Sequence, residues 1–114
     1  MEAEIIPILQ ASDAAALSTW YARLGFRVES EHRFAPSMPL YRILRRGSIR
    51  LHLSEHRGDA RCPGLCYLYV DNLDAIAREF STEIAHQPWG RELKLVDPDG
   101  NRLRIGEVQI ASEQ

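Results

Sequence analysis

Cysteine is scarce in this chain: Cys62 and Cys66 are the two it has. They make no disulfide framework, and Cys62-Pro-Gly-Leu-Cys66 offers half of a zinc site with no second pair to complete it. Reduced thiols in a cytoplasmic protein are the simpler reading. Long hydrophobic runs are missing too, and none approaches the ~20 residues that a membrane-spanning helix needs. The opening Met1-Glu2-Ala3-Glu4 is acidic where a signal peptide is basic, so no secretory leader is expected. An excess of one charge is likewise absent. Fourteen Lys and Arg, nearly all arginine, stand against 16 Asp and Glu, for a net charge of −2. That balance gives no broad positive field, and neither nucleic acid nor a membrane is expected as a partner. What is present is ordinary globular material, 45% hydrophobic and 26% charged, which argues against disorder. A chain of 114 residues is one domain's worth. It buries about two-thirds of its unfolded surface, so a large cavity must be shared with a partner or cut into a thin core.

Helix and strand signals alternate along the chain. Ile5 to Leu9 is a short apolar run holding Pro7, which reads as an edge strand or one that crosses to another subunit. Ser12 or Asp13 can cap a helix in which Ala16, Leu17, Trp20, Tyr21 and Leu24 recur at helical spacing, ending at Gly25. Strand signals follow at Phe26 to about His32, Leu40 to Arg45 and Ile49 to Leu53, the last two joined at Arg46-Gly47. The order then repeats. Leu65 to Val70 reads as a strand, and Asp71 or Asn72 caps a helix with a stripe of Leu73, Ile76, Ala77 and Phe80. An extended piece near Thr82 to Ala85 precedes a hairpin of Gly90 to Val96 and Asn101 to Glu107. Asp97-Pro-Asp-Gly100 closes it, Pro98 presetting φ and Gly100 allowing the left-handed residue. The fold class expected is α+β: two βαβββ modules of roughly 60 residues, about 4–54 and 64–108, within a single domain over 1–114. Together they would make a curved mixed sheet with helices outside and a cupped cleft inside.

Alternation also sorts the faces. Leu51, Leu53, Cys66, Leu68, Val70, Leu103 and Ile105 should pack under the helices. Arg50, His52, Ser54, Leu65, Tyr67, Tyr69, Arg102 and Arg104 should face the cleft, a polar and aromatic surface suited to a ligand. Asp97 and Asp99 read first as turn formers. No Gly-x-Ser-x-Gly nucleophile motif is present. Histidines 32, 52, 56 and 86 are scattered, and each reads more simply as a solvated or hydrogen-bonded side chain than as a base.

The sequence resembles the bleomycin-resistance proteins, within the glyoxalase and extradiol-dioxygenase (vicinal oxygen chelate) superfamily, over nearly the whole chain. The carriers are Ile6-Pro-Ile-Leu9, Trp20-Tyr-Ala-Arg-Leu-Gly-Phe26, Arg45-Arg-Gly-Ser-Ile-Arg-Leu-His-Leu-Ser54, Val70-Asp-Asn-Leu-Asp74, Gln87-Pro-Trp-Gly-Arg-Glu92 and Asp97-Pro-Asp-Gly-Asn101. Enzymes of the superfamily hold a divalent metal through four positions, which the resemblance places at Ile6 or Pro7, His52, Leu65 and Arg104. Only His52 can ligate, and Arg104 puts a permanent cation where the ion would sit. The resemblance therefore implies no metal, no cofactor, no catalytic residue and no enzyme.

It implies instead a protein that sequesters bleomycin-type glycopeptides, with Trp89 stacking on the flat heteroaromatic tail, Tyr67 at a second aromatic position and Phe34 as a candidate ring. His52, Ser54, Tyr69, Arg104 and Gly100 complete the candidate ligand-binding set. The plainer role for Trp89 is a rim residue at a dimer interface. Bleomycin is cationic, and family clefts are acidic, whereas Arg50, Arg91, Arg102 and Arg104 would all project here. Either Glu55, Glu92 or Glu107 neutralises some of them, or the cleft takes another planar, anionic molecule. The segment from Phe80 to Gln87 is also shorter than in antibiotic-binding members, while Ala35 to Pro39 would extend the opposite rim. A metal-dependent lyase or dioxygenase is the third and least favoured reading. Pro7 resembles the hinge at which members pass their first strand to a partner, so a strand-exchanged homodimer is expected.

Overall fold

The structure, a computed structural model, describes residues 2–108. By their contacts the residues form two compact units. One comprises the chain up to Gly64 together with Asp97–Asn101, and the other comprises Leu65–Val96 with the residues from Arg102 onward.

The first unit runs β1 (Ile8–Gln10), α1 (Ala14–Ala22), β2 (Arg27–His32), β3 (Tyr41–Arg46) and β4 (Ile49–Ser54), in the sheet order β1-β4-β3-β2. β1 lies parallel to β4 and the other neighbours are antiparallel. Asp13 starts α1, its carboxylate accepting from the Ala16 amide at 3.0 Å. The stripe that packs on the sheet is Ala14, Leu17, Ser18 and Tyr21, not the expected one through Ala16 and Trp20. Ser18 can sit on the buried side because its hydroxyl donates to the Ala14 carbonyl at 2.6 Å. Leu9, Leu24, Phe26, Leu40, Leu44, Leu51 and Leu53 fill the core beneath. β3 and β4 meet in register at Arg46 and Ile49, so the connecting turn is Gly47-Ser48, with Gly47 at φ +59°.

The second unit repeats the order: β5 (Leu65–Val70), α2 (Leu73–Phe80), β6 (Ala85–Gln87), β7 (Gly90–Val96) and β8 (Arg102–Glu107), with sheet order β5-β8-β7-β6 and β5 parallel to β8. Its core is Val70, Leu73, Ile76, Leu93, Leu95, Leu103 and Ile105. The extended piece expected at Thr82 to Ala85 falls later, because Ala85 and Gln87 find their partners in Glu92 and Gly90. The α+β reading is the observed one, with two four-stranded mixed sheets in place of one curved sheet.

β1 pairs with β4 of its own chain, Leu9 enters that chain's core, and the Pro7 carbonyl accepts from the His52 amide at 3.0 Å. Pro7 sits at the strand's entry, where its missing amide costs no ladder bond.

The 97–101 turn is buried through side-chain bonding within the first unit. Asp97 Oδ2 accepts from the Tyr21 hydroxyl at 2.8 Å and from Asn101 Nδ2 at 3.0 Å. Its Oδ1 accepts from the amides of Asp99 at 2.8 Å and Asn101 at 3.0 Å. Asn101 in turn donates to the Gln10 carbonyl and accepts from the Gly64 amide. Asp97→Ala would leave the Tyr21 hydroxyl and the Asn101 amide buried without their acceptor. It is expected to lower the unfolding free energy by roughly 2–4 kcal/mol, read from urea denaturation of the two proteins; an unchanged midpoint would show that the carboxylate is dispensable.

Candidate functional site

In the first unit, Leu44, Leu51 and Leu53 turn under α1, and Tyr41, Ile43, Arg45, Arg50 and His52 occupy the opposite face. Arg45 and Arg50 stand directly across from one another on β3 and β4, a position where like charges repel. A bulge between Val28 and Ser30 resolves the conflict by carrying Glu29 out of the ladder. Its carboxylate accepts from Arg50 Nε at 2.7 Å and from Arg45 Nη1 at 3.2 Å, and Glu4 accepts from Arg50 at 3.1 Å. The bond from Arg50 is the main reason that Glu29 titrates at about 2 rather than its ordinary 4.5.

His52 stands beside Ile8 on β1 and Ile43 on β3, with its Nδ1 2.7 Å from the Tyr41 hydroxyl. Desolvation is the largest cause that pushes the His52 pKa down, and desolvation followed by the charge of Asp59 pushes that of Tyr41 up. Both groups are thus held neutral around neutral pH. Ser54 is fully buried, and its hydroxyl donates to Asp59 Oδ2 at 2.7 Å, so it offers nothing to a ligand. Phe34 is 83% exposed, edge-on to His32 with ring centroids 5.6 Å apart. Gly100 lies in the 97–101 turn at φ +93°, where its contribution is backbone conformation.

The second unit gathers more of the candidate set. Cys66, Leu68, Val70, Leu93, Leu95, Leu103 and Ile105 share one face of its sheet. The other face carries Leu65, Tyr67 and Tyr69 from β5, Arg102, Arg104 and Gly106 from β8, and Glu92, Lys94 and Val96 from β7. Tyr67 and Tyr69 have ring centroids 4.9 Å apart at 47°. Trp89 is the second residue of the two-residue turn between Gln87 and Gly90, pinned by Pro88, and is 62% exposed. Desolvation is the largest cause that raises the pKa of the Tyr67 phenol, followed by the Glu92 carboxylate, while the Trp89 side chain opposes them. Glu92 and Trp89 thus both act on the Tyr67 phenol. Gly106 makes room for it: a Cβ there would stand 2.6 Å from Tyr67 Oη and 3.0 Å from Cε1.

Arg91 departs from expectation. Strand parity turns it to the α2 side, where it bonds Asp74 at 2.9 Å and also Glu107. Glu55, one of the proposed neutralisers, instead accepts from the backbone amides of Ala14 and Leu40. Lys94, Arg102 and Arg104 have no ion pair or hydrogen-bonded carboxylate among the described residues.

A family model described as glyoxalase superfamily protein matches residues 2–112. The chain belongs to the glyoxalase superfamily. A search of curated proteins finds no match. Among solved structures, this glyoxalase-superfamily chain is similar to a bleomycin resistance determinant encoded on the transposon Tn5, with 26% identity over 96% of this chain and 100% of that one and a TM-score of 0.75. It is also similar to a bleomycin-binding protein from bleomycin-producing Streptomyces verticillus complexed with copper(II)-bleomycin, at 27% identity over 96% and 98% of the two chains and a TM-score of 0.67. A lactoylglutathione lyase from Agrobacterium tumefaciens shares the fold at 21% identity, over 94% of each chain, with a TM-score of 0.67. Binding proteins and an enzyme thus stand side by side among the neighbours.

The donor set does not fit the divalent ion of the superfamily's enzymes. Strand register sets Ile8, rather than Ile6 or Pro7, beside His52, and Tyr67, rather than Leu65, beside Arg104. One of these four is an imidazole, already bonded through Nδ1 to Tyr41, and another is a guanidinium. Among the described residues no group of three His, Cys, Asp or Glu could hold a metal. Sequence reasoning missed Lys94 and Gly106; pairing β7 against β8 outward from the Asp97–Gly100 turn would have found both.

Gly106→Ala tests this arrangement. It is expected to swing Tyr67 aside and bring its phenol pKa down toward an ordinary tyrosine's, read from ring resonances of labelled tyrosine during alkaline titration. An unshifted Tyr67 titration would show that Glu92 and burial do not set its state.

Proposed function

We propose that this chain is a non-catalytic binding protein that holds a planar aromatic small molecule against Tyr67, Tyr69 and Trp89. The observation that carries the reading is the adjacent pair of exposed rings, Tyr67 and Tyr69, on one sheet face, with the exposed Trp89 in the turn that leads into β7. A flat conjugated ligand gains dispersion and quadrupole attraction from rings that are already in place. The residue types, an imidazole at His52 already bonded to Tyr41 and a guanidinium at Arg104 in register with Tyr67, support binding over metal-dependent turnover. His52, Arg104 and Phe34 remain in the proposed ligand-binding set; Ser54, with its hydroxyl occupied, leaves it.

A bleomycin-type glycopeptide is the specific ligand of this reading, because two of the structural neighbours are bleomycin-binding or bleomycin resistance proteins of nearly the same length. Copper(II)-bleomycin is expected to quench the tryptophan emission of the wild-type protein, and Trp89→Phe to abolish the quenching and weaken binding about tenfold, a loss of roughly 1.4 kcal/mol. No calorimetric heat and no quenching up to high micromolar ligand would rule bleomycin out. A second reading, a planar ligand that carries negative charge, is favoured by Lys94, Arg102 and Arg104 on the same face, which have no ion pair among the described residues.

Assembly as a homodimer belongs to the same proposal, with Ile5 and Phe34 as large apolar side chains available to a second copy. Light scattering of the purified protein is expected to give twice the 13.0 kDa chain mass; the single-chain mass would overturn it.

A further inference from the structure

The two sheets face the same electrostatic problem and answer it differently. In the first, Arg45 on β3 and Arg50 on β4 are directly opposed, and one carboxylate, Glu29, bonds both. The corresponding strands of the second are β7 and β8, and there Lys94 is directly opposed to Arg104. Directly opposed residues of an antiparallel pair have Cα atoms about 5 Å apart, close enough that two cations repel. Arg102 adds a third cation two residues along β8, on the same face.

No carboxylate of the described residues bridges Lys94 and Arg104. Glu92 shares their face, but it is 3% exposed and engaged with Tyr67. Glu107 and Asp74 are held by Arg91 on the α2 side. The second sheet also has no bulge in its β6–β7 pairing that could carry an acid out of the ladder. Lys94 lines a groove of about 480 Å³ along the β6–β7 edge together with Glu83 and Glu92. Those two acids make the groove unsuited to an anion, whereas the ring face on which Arg104 stands carries no such pair.

The row across the sheet is Lys94, Arg104, Tyr67 in register on β7, β8 and β5. A molecule stacked on the tyrosine rings would therefore place its near edge over the two cations. We infer that this face selects a planar aromatic anion whose carboxylate, or an equivalent acidic group, bridges Lys94 and Arg104 as the Glu29 carboxylate bridges Arg45 and Arg50. The inference rests on the planar-ligand reading and specifies the charge of its ligand. A guanidinium offers a carboxylate two parallel donors and the ammonium offers a third, so the bonds are charge-assisted and directional. Binding would also relieve the repulsion between the two cations, which couples ligand affinity to fold stability.

The experiment compares 2-naphthoate with 2-naphthamide, which has the same ring system and shape but no charge, by calorimetric titration of the full chain at low and high salt. Wild-type protein is expected to bind the naphthoate at least tenfold tighter, with the advantage shrinking as salt rises. The double substitution Lys94→Gln and Arg104→Gln is expected to erase that preference, the variant binding the two probes within about twofold of one another, and to leave the ligand-free protein at least as stable to heat as the wild type. Equal affinity of the wild type for both probes would overturn the anion assignment and keep the planar-ligand reading. Binding of neither probe would overturn both. A preference that survives the double substitution would place the anion elsewhere and refute the bridge.

Discussion

The buried carboxylate of Asp97 is the constraint on which most of the first unit turns. An ionised group 3% exposed is costly unless every lone pair finds a donor, and Asp97 has four: the Tyr21 hydroxyl, the Asn101 side chain and two backbone amides. Through Tyr21 it fixes the rotation of α1, and through Asn101 it reaches the Gln10 carbonyl of β1 and the Gly64 amide. A helix, a strand and a connecting segment far apart in sequence thereby converge on one turn. The same turn begins where β7 ends and finishes where β8 begins, so its conformation also sets the register of that hairpin. Gly64 has its own part: a Cβ there would lie 2.9 Å from a Leu9 methyl and 3.2 Å from the Asn101 oxygen, so only glycine lets the backbone come this close.

Register set from such turns, combined with strand parity, is what sorts the chemistry. On β7 the two-residue turn at Pro88-Trp89 starts the strand at Gly90, and parity then sends Arg91 and Glu92 to opposite faces. One becomes the centre of an ion-pair cluster with Asp74 and Glu107, and the other supports Tyr67. Neighbouring charges in sequence thus do unrelated work. The exposed ion pairs contribute little stability each, but they remove Asp74, Glu107 and Arg91 from any role on the ring-bearing face.

Much of the fold was legible because it depends on local rules. The Asp97-Pro-Asp-Gly100 turn, the repeated order of strands and helices, and the in-and-out alternation of β4, β5 and β8 follow from backbone preferences and side-chain period alone. What was not legible depends on partners distant in sequence. Ser54 continues the outward series of Arg50 and His52, yet Asp59 covers it at the strand's end. Ser18 joins the buried stripe of α1 because a backbone carbonyl satisfies it, a possibility that hydrophobic periodicity does not register. Neutralisation of Arg50 comes from Glu29 through a bulge and from Glu4 near the chain's start, neither of which a search for regular cross-strand pairs would choose. Pro7 marked a real strand entry, directly before β1. For the candidate site, parity gave the face of each aromatic residue, whereas cross-strand register was needed to put Lys94 beside Arg104 and Gly106 beneath Tyr67.

The repeated architecture makes the differences between the two sheets informative. Where two copies of one strand order carry opposed cations at corresponding strands, the cost of the pair is the same in both, and a sequence that retains it must offset it somewhere. The first sheet does so internally for Arg45 and Arg50 through Glu29, and His52 on that face is bonded to Tyr41. The second leaves Lys94, Arg102 and Arg104 without an ion pair among the described residues, on the face that carries the exposed rings of Tyr67 and Tyr69. Unsatisfied charge beside exposed aromatic surface is poor economy for a structural element and good design for a recognition surface, since both deficits are removed by a single bound molecule. The loss of metal donors fits the same division: an arginine in register with Tyr67 is unsuited to a cation's coordination shell and well suited to a carboxylate's. In the proposed reading, the second sheet of this superfamily fold would use that arginine and its neighbouring rings to hold a planar anion.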